Sequence, residues 1–142
     1  MNLTRFLVCM TAAAALAACG SKEDNAASNA PINLTPVAPP AGGDWTQTVV
    51  ATPEGGMLMG NPNAKVKLVE YGSLTCPHCR AFDEEGVPAL LGKYVKSGQV
   101  SWEFRNYVRD AADLTAALIA RCNGAKGFFP LVRALYHDQP FW

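Results

Sequence analysis

The sequence predicts an α/β domain. Two stretches alternate at period two, as strands do: Val66 to Tyr71, and Val100, Trp102 and Phe104 set against Ser101, Glu103 and Arg105. Between them runs a helical apolar pattern. A strand, a long helix and a second strand form a βαβ unit, which is expected to be parallel and right-handed. Two further helical patterns follow toward the C-terminus.

The elements follow in chain order. The 142 residues suit one domain of ordinary size. Formal net charge is zero and Lys and Arg do not cluster, so no nucleic-acid surface is expected. With 49% hydrophobic residues, the chain can bury a core outside its polar N-terminal stretch. Residues 1–18 read as a secretory signal. Arg5 supplies a positive n-region, and Phe6 to Leu16 supplies an apolar h-region too short to span a membrane as a mature helix. It ends in Leu16-Ala17-Ala18-Cys19-Gly20, which resembles the bacterial lipobox, in which the cysteine is acylated and becomes the first mature residue. An ordinary signal cleaved near the same point is the alternative. Either route exports the chain and permits disulfides.

Residues 19–44 read as a tether. They are rich in Ser, Asn, Ala, Pro and Gly, with only scattered apolar residues such as Ile32, Leu34 and Val37. A flexible chain of this length reaches on the order of 25–30 Å. The domain is expected over residues 45–142. A short strand is expected over Gln47 to Ala51 and a turn at Pro53-Glu54-Gly55-Gly56. A return strand over Met57 to Met59 and a turn at Asn61-Pro62-Asn63 come next. Val66, Leu68 and Glu70 share one face of the next strand and Val69 and Tyr71 the other. Apolar residues on both faces suggest a central strand with both sides covered.

Pro77 suits the first position of a helix, where a missing N–H costs nothing. Phe82, Leu90, Leu91, Tyr94 and Val95 supply its apolar stripe, with a kink or break expected at Gly86 and Pro88. Acidic residues 83–85 come early and Lys93 and Lys96 late, which complements the helix dipole. Gly98 is the expected stop. Asp110 is expected to cap a helix with the stripe Leu114, Ala117, Leu118 and Cys122, ending at Gly124. A last helix is expected from about Phe128 to His137.

The chemistry concentrates in Thr75-Cys76-Pro77-His78-Cys79, directly after the first strand. With Cys76 at the N-cap, Cys79 falls at N3, and the two thiols can close a disulfide. A Cys76 thiolate can accept free N–H groups of the first turn, sits at the positive end of the helix dipole, and gains from a protonated His78. Its pKa should fall below about 8.5, which makes the disulfide form more oxidising. Cys79 lies on the inner side and would resolve a mixed disulfide. Glu70, partly buried near the helix start, is a candidate to take protons from Cys79 through a water; its plain alternative is an exposed glutamate at a strand end. A zinc site needs about four ligands. No second Cys-x-x-Cys exists, His78 lies awkwardly between the cysteines, and His137 reads as a solvated helix-end residue. No metal is expected. Cys9 leaves with the signal. Cys122 reads as a reduced, buried core thiol, with a structural disulfide as the alternative.

Gly60-Asn61-Pro62-Asn63-Ala64, the strand from Val66 to Tyr71, and Cys76-Pro77-His78-Cys79 together resemble the DsbA-type branch of the thioredoxin superfamily. The resemblance spans about Met57 to Trp142. It implies a thioredoxin-like fold whose helical insertion begins with the segment Asp110 to Trp142. It also implies a periplasmic thiol–disulfide oxidoreductase with Cys76 and Cys79 as the redox disulfide and Pro77, His78 and Glu70 as thiolate-tuning residues. No cofactor is implied. The implied partners are exported proteins with free or mispaired cysteines and a redox-recycling partner in the cell envelope. The lipid at Cys19 would hold the chain to a membrane. The family also implies two further strands, a final helix and a cis-proline loop against the dithiol. Pro53, Pro62, Pro77, Pro88, Pro130 and Pro140 are all wrongly placed to supply that loop, so the chain reads as lacking the C-terminal part. Some relatives carry a cysteine near position 122, whose partner would lie in that part. The rival readings are an inactive truncated lipoprotein and a thiol-based chaperone or docking module.

Overall fold

The computed structural model describes residues 34–40 and 43–142. The expected signal, Cys19 and most of the tether lie outside the described residues. A 3-10 turn over Trp45–Gln47 leads into β1 (Val49–Ala51), β2 (Met57–Gly60) and β3 (Val66–Gly72). A helical run over residues 77–95, α1, connects β3 to β4 (Val100–Asn106). Two helices follow, α2 (Ala111–Arg121) and α3 (Gly124–His137), and a 3-10 turn over Gln139–Phe141. Among the described residues, no helix is long and apolar enough to cross a membrane.

The sheet order is β1-β2-β4-β3. β1 and β2 form the expected antiparallel hairpin, with Val49 opposite Met59, and β2 runs antiparallel to β4. β3 and β4 are parallel, with Val66 opposite Val100, so the βαβ unit is present as expected. Among the described residues, β3, expected as a central strand covered on both sides, pairs only with β4, whereas β4 pairs on both sides. The helices pack on one side of the sheet, where Val100, Trp102 and Phe104 lie opposite Val66, Leu68 and Glu70. On the other side Val69 is 37% and Tyr71 64% exposed. β4 pairs on both edges, and its polar alternates Ser101 and Glu103 are buried too. Glu103 accepts hydrogen bonds from Thr52 Oγ1 at 2.7 Å and Arg105 Nε at 2.7 Å.

The core joins the sheet to all three helices. Trp102 meets Phe129 with ring centroids 4.7 Å apart, and Phe104 meets Phe128 edge-on at 5.6 Å. Val87 and Val95 of α1 and Ala116, Ala117 and Ala120 of α2 complete the cluster. Each large side chain taken out of water contributes roughly 1.5–3 kcal/mol. This burial holds α3 over β4 and sets the position of everything the helices carry.

α1 does not break at Gly86 and Pro88. It passes from an α-helical first turn (Pro77–Ala81) through a π-helical turn (Phe82–Gly86), a short α-helical segment (Val87–Ala89) and a second π-helical turn (Leu90–Val95). Pro88 falls where the hydrogen-bonding pattern changes, so its missing N–H is tolerated. The wider turns also change the phase. Phe82 and Tyr94, expected in the core stripe, are exposed, whereas Asp83 and Val87 face inward. Gly98, at φ +71°, stops the run as expected, and its N–H bonds to Val95 O at 2.8 Å. A Cβ there would come within 2.6 Å of Trp45 Nε1 and Val37 O.

Asp110 caps α2 as expected, its Oδ1 accepting from Asp113 N at 2.8 Å. The buried face, however, is Asp113, Ala116, Ala117 and Ala120. Leu114 and Leu118, expected inside, are exposed, Leu118 by 60%. Cys122 follows them: it is a free thiol and exposed, not buried. The reason is steric. α2 lies close against its neighbours on its small alanine face, which leaves the leucine side to solvent. α3 begins at Gly124, four residues before the expected start. The domain also extends N-terminal to Trp45. Val37 N donates to Ser97 O at 2.8 Å, Val37 O accepts from Trp45 Nε1 at 2.8 Å, and Leu34 O accepts from Gln99 Nε2.

Candidate active site

β3 delivers the chain to a short loop, Ser73 to Thr75, before the first turn of α1. Cys76 is the N-cap residue with extended backbone, and Pro77 opens the helix. Gly72 permits this course. A Cβ there would fall 2.4 Å from Phe104 Cζ and 3.0 Å from Glu70 Oε1. Cys76 N bonds back to Ser73 O at 3.1 Å, and Arg80 N bonds to Cys76 O at 3.1 Å.

Both sulfurs are free thiols and partly accessible, with His78 and Pro77 exposed beside them. Their electrostatics diverge. The Cys76 pKa is lowered, first by the backbone N–H of Cys79, then by the Cys79 thiol, the backbone N–H of His78 and the charge of Arg109. Burial pushes the Cys79 thiol up, and the neighbouring charges of Cys76 and Glu70 push the same way. One sulfur is therefore biased toward the thiolate and the other toward the thiol. His78 contributes through its N–H, while the cation acting on the sulfur is Arg109.

Beneath the dithiol, Glu70 is half-buried and accepts a hydrogen bond from Trp102 Nε1 at 3.0 Å. Burial pushes its carboxyl up to about 7, with Asp83 adding repulsion. Asp83, 5% exposed, has its own carboxyl raised by burial, and its Oδ1 has no hydrogen-bond partner. Arg133 approaches its other oxygen at 3.8 Å. Tyr136 is fully buried and donates to Ser73 O at 3.3 Å.

Residues from the helical segment hold the loop, and these were missed in the sequence. Asp113, 1% exposed, accepts from Ser73 Oγ at 2.6 Å, Leu74 N at 2.9 Å and Arg109 N at 3.1 Å. Arg109 Nη2 donates to Thr75 O and Thr75 Oγ1, both at 3.1 Å. Gln139 Nε2 donates to Leu74 O at 2.7 Å and Cys76 O at 3.2 Å. Asp113 had a visible signal as the residue three after the cap Asp110. Arg109 and Gln139 had none, because they reach the loop only through the tertiary fold. Among the described residues, no group of three or more His, Cys, Asp and Glu is arranged to hold a metal ion.

Residues 52–142 match the family model described as thioredoxin. A Rickettsia typhi protein named as a protein-disulfide oxidoreductase is 34% identical over 87 residues, which is 61% of this chain and 32% of that protein. The crystal structure of protein-disulfide isomerase from Novosphingobium aromaticivorans is similar with a TM-score of 0.58 at 45% identity, covering 60% of this chain and 43% of that one. The structure of alpha-DsbA1 from Wolbachia pipientis gives a TM-score of 0.57 at 31% identity over the same shares. The chain spans about a third of the length of the curated relatives it matches, 32% and 31% for two of them. It belongs to the thioredoxin family, and within that family it is DsbA-like.

Proposed function

We propose that this thioredoxin-family chain is a protein thiol–disulfide oxidoreductase acting through Cys76 and Cys79. One observation carries the reading: the two sulfurs of one helical turn are driven in opposite directions, Cys76 toward the thiolate and Cys79 toward the thiol. In the oxidised state a client thiolate attacks Cys76 Sγ. The Cys76–Cys79 bond breaks, and Cys79 leaves and takes up a proton. A second client thiolate then attacks the mixed disulfide, forms the client disulfide and expels Cys76 as a stabilised anion. Two electrons pass from client to protein. A low-pKa Cys76 is a good leaving group, which favours this direction. In the reverse attack Glu70, beneath Cys79 and itself near neutrality, is suited to accept the Cys79 proton.

The clients are exported proteins with free or mispaired cysteines, and a partner in the cell envelope reoxidises the dithiol. The lipobox-like sequence at Cys19 supports a lipid-anchored chain on the periplasmic side of a membrane. Oxidative refolding of a reduced, scrambled substrate tests the activity. Turnover that is lost in Cys76→Ser is expected. Binding of clients without turnover would replace this reading with a thiol chaperone. Mass spectrometry of the mature N-terminus tests the anchor, and an unmodified Cys19 would refute it.

A further inference from the structure

Among the described residues, Arg109 is the one cation whose charge acts on the Cys76 sulfur. Its guanidinium rests on the neutral oxygens of Thr75. Among the described residues it forms no ion pair, whereas Arg80 is paired with Glu84 at 2.8 Å, Arg105 with Glu103 at 2.7 Å and Arg133 faces Asp83 at 3.8 Å. Of the two carboxylates that next follow it in the chain, Asp113 is buried and Asp110 is an exposed helix cap. Asp110 accepts from the backbone of Asp113, and Asp113 accepts from the loop and Arg109 N. The guanidinium is solvent-exposed, one residue from Cys76, and the segment leading to it presents Tyr107 and Val108 to solvent. A client strand whose cysteine reaches Cys76 therefore lays its neighbouring side chains near an exposed guanidinium that is held by Thr75 and by no carboxylate among the described residues.

We propose that Arg109 is a specificity-determining residue that favours client segments carrying Asp or Glu next to the reacting cysteine. The proposal rests on the oxidoreductase reading and names the client class of that site. An acidic neighbour pairs with the guanidinium during attack, whereas a basic neighbour is repelled. Such steering by an exposed charge acts chiefly on the rate of productive encounter and weakens with ionic strength.

The test uses the oxidised full chain and two dicysteine peptides that differ only in Asp or Lys beside the first cysteine. Each peptide reduces the Cys76–Cys79 disulfide and becomes oxidised in a single turnover. The readout is the ratio of the two rates, which cancels any general change in Cys76 reactivity or loop geometry. Wild type should favour the Asp peptide by about fivefold at low salt, and high salt should erase most of the preference. Arg109→Lys should keep the preference, Arg109→Gln should lose it, and Arg109→Glu should reverse it. A distorted loop would slow both peptides equally and leave the ratio unchanged. Turnover with the same ratio in wild type, Arg109→Gln and Arg109→Glu overturns the role of Arg109 alone. No turnover with either peptide in any variant, wild type included, overturns the oxidoreductase reading and this proposal with it.

Discussion

Replacing Glu70 with glutamine removes a carboxylate whose proton the fold holds unusually tightly. Its pKa rises from an ordinary 4.5 to about 7, chiefly because burial penalises the charge. Between these values the unfolded chain has released the proton while the folded chain keeps it. Stability must therefore fall as pH rises through that interval and level off above it. At 1.36 kcal/mol per pH unit the full penalty is roughly 3 kcal/mol, and residual solvent contact reduces it to about 2 kcal/mol. Glutamine keeps an oxygen for Trp102 Nε1 and carries no charge. Glu70→Gln should match wild type near pH 4.5. At about pH 8 it should be more stable by about 2 kcal/mol, or about 10 °C in Tm. Denaturant titrations of the reduced protein at acid, neutral and alkaline pH measure this. The titration of Asp83 is present in both proteins and largely drops out of the difference. A gap between the two proteins that does not change with pH, or that widens toward acid, would refute the reasoning. The same variant should slow reoxidation steps that need the Cys79 thiolate near neutral pH.

Three other outcomes are expected. Thiolate absorbance in a Cys79→Ser background should place the Cys76 pKa below that of a free thiol, and Arg109→Gln should raise it; a value at or above the free-thiol value contradicts the assignment. Asp113→Ala leaves Leu74 N–H and Ser73 without their acceptor and should cost about 3 kcal/mol of stability in chemical denaturation, together with slower redox turnover. Cys122→Ser should change stability by less than about 0.5 kcal/mol, and Cys122 should be alkylated without denaturant at the rate of an exposed thiol.

What the sequence determined by itself was local. The period-two runs at Val66 and Val100, the hairpin turn before Met57, the Asp110 cap, and Cys76 at the start of a helix opened by Pro77 follow from backbone and side-chain chemistry within a few residues. The parallel βαβ pairing followed from their order. The dithiol is therefore legible in the sequence alone. The phase of the helices is not. Two π-helical turns moved Asp83 and Val87 inward in place of Phe82, and close packing selected the alanine face of α2 over Leu114 and Leu118, carrying Cys122 to the surface. That β3 pairs only with β4 among the described residues was equally hidden, since apolar residues on both faces do not say how many neighbours a strand has. The groups that grip the dithiol loop, Arg109, Asp113 and Gln139, lie 34 to 65 residues along the chain from the atoms they hold. Burial of Trp102, Phe128 and Phe129 brings them there, and only the folded core decides which polar side chains end up beside a reactive sulfur.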